Sequence, residues 1–156
     1  FPRIAVALTD RCLLDSFEDL SWHRVLLDPP GSRCLVDVIE SIVERLAVPV
    51  FVAAVDLPLL DSSTVSTICS HHSPGISVIP VDDHRPQPLA AVWDPSALKF
   101  SSPPDGDLAL LAWVKRSSTR LLHWPEQFSP ASDPPTQSPF KNLNSPTDLD
   151  SWGSIV

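Results

Sequence analysis

The sequence has no methionine, no tyrosine and only four glycines in 156 residues. Its three cysteines, Cys12, Cys34 and Cys69, are odd in number and far apart. They form no Cys-x-x-Cys pair, which argues against a zinc site and a disulfide framework and favours a reducing compartment. No apolar run approaches the roughly 20 residues of a membrane span. No basic-then-apolar opening reads as a signal peptide, so a cytoplasmic protein is expected. Cations are also scarce: 11 Lys and Arg stand against 19 Asp and Glu, a net charge of −8. That sign argues against broad binding to nucleic-acid phosphates and leaves room only for a local basic patch. The chain opens at Phe1 and enters an apolar stretch almost at once, so an amino-terminal part preceding Phe1 is expected.

What is present fits a folded α/β protein. Hydrophobic residues make up 43% and charged residues 19%, as in globular domains. The length suits one domain spanning 1–156, with a Pro/Ser-rich loop at 125–139 inside it. The most informative stretch is Val50-Phe51-Val52-Ala53-Ala54-Val55-Asp56-Leu57-Pro58. Six apolar residues in a row read as a strand buried on both faces. Pro58 cannot donate to a ladder and restrains Leu57, so the strand must stop there. Asp56 thus falls at a strand's carboxyl end, the edge where open α/β sheets bind ligands. A carboxylate there suits Mg²⁺ together with substrate phosphates; it equally suits a plain turn residue.

The pattern of strand, Asp and turn recurs. Residues 4–9 read as a strand ending at Asp10. Residues 23–27 read as another, ending at Asp28-Pro29-Pro30-Gly31. Ser32 is placed to cap the next helix, whose apolar positions Leu35, Val38, Ile39, Ile42, Val43 and Leu46 share a face. Strand, helix and strand make a βαβ unit and call for parallel pairing. Asp61-Ser62-Ser63 can cap a helix from about 63 to 70. The His71-His72 pair at its end reads as a metal site or as ordinary helix-end residues. Strands are expected at 76–80, 89–93 and 120–124, and a helix around 108–115. The polar connection 81–88 reads as a solvated hairpin loop or as a carrier of binding groups. Ser145-Pro146-Thr147-Asp148 is expected to open a closing helix, with Leu149 and Trp152 packed back on the body.

Three separated pieces together resemble one family. Val55-Asp56-Leu57-Pro58-Leu59-Leu60 is similar to its Cys-Asp-x-Pro-Phe-Leu motif. His84-Arg85-Pro86-Gln87-Pro88-Leu89-Ala90-Ala91-Val92-Trp93 is similar to its Arg-Pro-x-Pro-Leu-x-Ala-Leu-Tyr segment. Asn142-Leu143-Asn144-Ser145-Pro146-Thr147-Asp148-Leu149 is similar to its Asn-Val-Asn-Thr-Pro-Glu-Asp-Leu close. The family is the molybdenum cofactor guanylyltransferases. The resemblance implies a three-layer α/β sandwich around a mainly parallel, Rossmann-like sheet of the glycosyltransferase-A-like nucleotidyltransferase kind, here without its first strand. It implies transfer of GMP from GTP to a molybdopterin-type acceptor with Mg²⁺, without nucleic acid or membrane. Asp56 would hold the metal; Asp10, Asp28 and Asp56 would contact the nucleotide. Arg85, Pro86, Asn142 and Asn144 would contact the acceptor.

The chain also departs from that pattern. The family's Gly-rich loop, with its Ser, Arg and catalytic Lys, has no counterpart in these residues, so no catalytic side chain is assigned and the 156 residues alone are expected to be inactive. A Gly-Pro-Leu-Ala-Gly turn is replaced by Arg33-Cys34-Leu35-Val36-Asp37, which adds bulk and a carboxylate. Asp10 stands where Asn is usual. Two alternatives follow: a non-catalytic relative that binds or regulates, and another nucleotidyltransferase of the same fold.

Overall fold

The computed structural model describes residues 5–8, 24–98, 109–128 and 137–143. Asp10, Asn144, Cys12, the closing helix with Leu149 and Trp152, and most of the 125–139 stretch lie outside these residues.

Two parallel strands, β1 (Ala5–Leu8) and β2 (Arg24–Leu27), pair in register, Ala5 beside Arg24 and Leu8 beside Leu27. A second sheet holds β3 (Val50–Ala53), β4 (Ser77–Asp82), β5 (Arg85–Pro86), β6 (Ala90–Trp93) and β7 (Thr119–His123). β6 lies antiparallel between β3 and β4, with Val92 opposite Phe51 on one side and Val78 on the other. β3, β4 and β7 therefore share one direction, and β7 pairs parallel with β4 along residues 77–81. The sequence led us to expect the four strands β1 to β4 in one sheet and β2 paired with β3. Among the described residues they divide between two sheets, and the strand partner of β3 is β6. The cause is the hairpin at Asp82–Arg85: a short connection can return the chain only antiparallel, and the returning β6 takes the place between β3 and β4.

Alternation along the strands buries both faces of this sheet. Ile79, Ala91 and Trp93 face one way. They pack against Val36, Ile39 and Val43 of α1 (Leu35–Leu46) and Trp113 and Val114 of α3 (Leu110–Arg116). Val78, Ala90, Val92 and Leu122 face the other way, against Ile68 of α2 (Ser62–Ser70), Leu57 and Phe140. Helices thus cover both sides, the three-layer arrangement of α/β proteins. Each fully buried aliphatic side chain contributes about 1.5–3 kcal/mol. Trp93 and Trp113 stack with ring centroids 4.3 Å apart, worth about 0.5–1.5 kcal/mol beyond area burial.

The helix ends show where local rules decided. Cys34, not Ser32, is the N-cap of α1, and its side chain caps nothing. Ser32 instead donates its hydroxyl to Pro29 O at 2.7 Å, closing the Asp28-Pro29-Pro30-Gly31 turn. The first turn of α1 is held by Asp37, whose carboxylate accepts the Arg33 N–H at 2.9 Å and its guanidinium at 3.0 and 3.1 Å. Arg33 holds the Asp37 carboxyl below the usual carboxylate range. Leu35, expected on the apolar face, is exposed, and Val36 is buried in its stead. At α2, Asp61 caps as expected: its carboxylate accepts the Thr64 N–H at 2.7 Å and the Ser63 hydroxyl at 3.0 Å.

Candidate functional site

β3 is shorter than the six-residue apolar run suggested. It ends at Ala53, and Ala54 N–H donates to Leu89 O at 2.8 Å. Val50, Phe51 and Val52 are half-buried, while Ala53 and Val55 are exposed. The expected strand buried on both faces is therefore not what forms. The chain turns at Val55-Asp56, and a second turn, Leu57–Leu60, closes with Leu60 N–H on Leu57 O at 3.2 Å. Pro58 supplies the second position of that turn, where its fixed φ fits. Leu57 is buried in the core and anchors the segment.

Asp56 sits between these turns, half-buried. Its Oδ1 is buried and has no hydrogen-bond partner. Its backbone oxygen accepts the Leu143 N–H at 2.9 Å. That bond links two of the motifs singled out in the sequence, 87 positions apart. The incoming segment is fixed from its other end by Ser138, whose hydroxyl donates to Asp82 Oδ2 at 2.6 Å and accepts the Phe140 N–H at 3.1 Å. Phe140 then locks into the core against Trp124 and Phe128.

Beside this junction lies a cleft of about 780 Å³. Arg85, Pro86 and Asn142, three of the four residues assigned to the acceptor, line it together. The hairpin that carries Arg85 turns through Asp83 (φ 44°) and His84 (φ 61°). Both are left-handed, as a two-residue hairpin turn of this hand requires, with Asp and His where Asn-Gly is usual. β5 then pairs Asp82 with Arg85 and Val81 with Pro86. α3 and β7 also line it, through Leu111, Lys115 and Leu121. The sequence reading gave these residues no role. Their only signal was Leu111 and Lys115 four apart on a helix face, and only the topology brings that face to the hairpin.

Asp28 follows the last residue of β2 and is half-buried. It makes no hydrogen bond or ion pair with the Asp56 turn or the cleft, so the structure does not join it to them. The carboxylate introduced at Asp37 is turned back onto Arg33. The histidine pair is also engaged elsewhere: His71 Nδ1 lies 2.9 Å from Thr67 O and His72 Nε2 2.8 Å from Asp94 Oδ2. Among the described residues no cluster of three or more His, Cys, Asp and Glu side chains could hold a metal ion. No described helix is long and apolar enough to cross a membrane.

A structure of molybdopterin-guanine dinucleotide biosynthesis protein A from Archaeoglobus fulgidus superimposes with a TM-score of 0.70. It is 17% identical, and the match covers 97% of this chain and 77% of that one. At that identity the likeness establishes the fold, an α/β architecture with helices on both sides of the sheet. Among curated proteins no sequence matches at a significant level. The profile of the MobA-like NTP transferase domain matches residues 1–119, about three-quarters of the sequence, and the chain belongs to that family.

Proposed function

We propose that this domain transfers GMP from GTP to molybdopterin in the cytoplasm, with Mg²⁺. One observation carries the reading: a buried carboxylate oxygen without a partner, Asp56 Oδ1, in the turn three residues past the end of β3 and bonded through its backbone to Leu143. A buried polar atom left unpaired costs about 1–3 kcal/mol. Such an atom calls for a ligand that is not protein. A lone hard oxygen at a sheet edge suits Mg²⁺. Asp56 would hold the ion, which when bound neutralises triphosphate charge.

The chain's own residues do the rest by positioning. Asp28, next after β2, and Asp10 would contact the nucleotide. Arg85 and Pro86 on the hairpin, with Asn142 and Asn144, would hold the acceptor, the amides able to donate and accept. The acceptor's phosphate attacks the α-phosphorus of GTP. A new phosphoanhydride bond forms, the α–β bond breaks, and pyrophosphate leaves with its electron pair. The resemblance places triphosphate donors in a Gly-rich loop that these 156 residues do not carry. Transfer by the 156 residues alone is therefore expected to be weak.

The test is label transfer from α-labelled GTP to molybdopterin, beside ATP, CTP and sugar 1-phosphates as competitors. Label on molybdopterin from GTP supports the proposal. Label only on a sugar phosphate points to another nucleotidyltransferase of this fold. Nucleotide binding without transfer to any acceptor points to a binding or regulatory relative.

A further inference from the structure

We infer that Lys115 is a specificity residue of the cleft. Lining the same cleft as Arg85, it binds the phosphate of a ligand whose flat heterocyclic body lies on Leu111 and Leu121. This rests on the acceptor reading of the cleft and adds to it the wall from α3 and β7.

Charge is the first reason. The chain carries 19 carboxylates against 11 Lys and Arg, yet among the described residues no carboxylate lines this cleft, and Arg85, Lys115 and His84 do. The nearest carboxylates along the hairpin do not neutralise them. Asp82 is engaged by the Ser138 hydroxyl at 2.6 Å, and Asp83 is exposed at the tip of the turn. Neither Arg85 nor Lys115 forms an ion pair among the described residues. Two cations that line one concavity, with no ion pair among the described residues, raise the local concentration of anions. Arg85 offers a planar fork for two phosphate oxygens, and Lys115 a mobile point charge.

The second reason is the apolar surface between them. Leu111 is 49% and Leu121 41% exposed, two of the few large apolar side chains left in water, and both line this cleft. Exposed apolar side chains gathered in a concavity mark a ligand surface. Pro86 adds a rigid wall and Asn142 a group that reads donor and acceptor edges. A purely ionic ligand would leave the leucines wet. A purely apolar ligand would bury the cations unpaired, which is costly. A planar heterocycle with a phosphate-bearing side chain satisfies both, and the volume suits one such molecule.

The experiment is calorimetric titration of the protein with 6-hydroxymethylpterin monophosphate and, separately, with unphosphorylated 6-hydroxymethylpterin, without GTP or Mg²⁺. The phosphorylated ligand is expected to bind more tightly. Lys115→Gln should weaken it about two- to fivefold, the scale of one exposed ion contact, and leave the unphosphorylated ligand unchanged. Leu121→Ser should weaken both ligands equally. Lys115 is exposed, and thermal melts check that each variant folds. Equal binding of the two pterins, or an unchanged affinity in Lys115→Gln, overturns the inference. Lys115-dependent binding in a protein that transfers nothing from GTP upholds it while the transferase reading falls. Transfer with an unaltered acceptor KM in Lys115→Gln does the reverse.

Discussion

Replacing Asp56 by Ala should stabilise the ligand-free protein and abolish its thermal response to Mg²⁺ and GTP. The side chain is half-buried, with one carboxylate oxygen enclosed and unpaired. Removing an unsatisfied buried oxygen recovers about 1–3 kcal/mol. Losing the burial of the carboxyl carbon gives back up to about 0.8 kcal/mol, taking it as one buried carbon. The net gain is about 0–2 kcal/mol, or up to about 8 °C at the 2–4 °C per kcal/mol expected for a domain of this size. The ligand arm has the opposite sign. Wild type at 100 times Kd gains about 2.7 kcal/mol from a ligand that binds only the folded state, about 5–10 °C by the same conversion. The Ala variant should show almost none of this shift, and Asp56→Asn should keep the wild-type shape while losing the same response. Differential scanning fluorimetry with and without Mg²⁺ and GTP reads both arms. A ligand-free Tm lowered by 5 °C or more, with the ligand shift intact, would make Asp56 a structural turn residue and refute the reasoning.

Other expectations concern parts of the fold with independent causes. Ala47 ends α1 with φ 52°, a region that costs a residue with a Cβ about 1 kcal/mol; Ala47→Gly should raise stability by roughly 0.5 kcal/mol after the glycine's entropy is charged, measured by urea denaturation. Burial pushes the Asp94 carboxyl up, but hydrogen bonds from His72, Ser96 N–H and Gly75 N–H outweigh it and hold it below the usual range. A depressed carboxyl contributes stability above the unfolded pKa of about 3.9 and loses it as pH falls through the folded pKa. Melts from pH 6 to 3 should therefore fall less steeply below about pH 4 in Asp94→Asn than in wild type. Ser138→Ala removes the donor to Asp82 and the acceptor for Phe140 N–H. It should cost about 1–2 kcal/mol in urea denaturation and raise the acceptor KM more than it lowers kcat.

What the sequence made legible were features set by neighbours along the chain. Asp61 caps α2 because its carboxylate reaches an amide three residues on. The 81–88 connection folds into a hairpin because Asp and His tolerate positive φ there. Asp56 was recognisable because it follows an apolar run and a proline two residues later forces a turn, although β3 itself already ends at Ala53. The sheet order was not legible: β6 pairs with β3 across some 40 residues, and its reversed direction follows from a tight hairpin upstream. Ser32 satisfied every local rule for a cap yet bonds backward to Pro29, leaving the first turn of α1 to an Arg33–Asp37 pair. Of the candidate site, Arg85, Pro86 and Asn142 were named from the resemblance. The rest of the cleft's lining depends on where α3 lands, which no local spacing reveals.

The central claim is that the Asp56 edge carries metal-dependent nucleotidyl transfer. Pyrophosphate release from GTP, with molybdopterin as acceptor and Mg²⁺ varied, tests it most directly when wild type and Asp56→Asn are compared. The account predicts Mg²⁺-dependent, acceptor-dependent release by wild type, and release by Asp56→Asn lowered at least about a hundredfold, the scale of losing one preorganised electrostatic group, with folding intact by circular dichroism. Undiminished release by Asp56→Asn at the same Mg²⁺ requirement would contradict it.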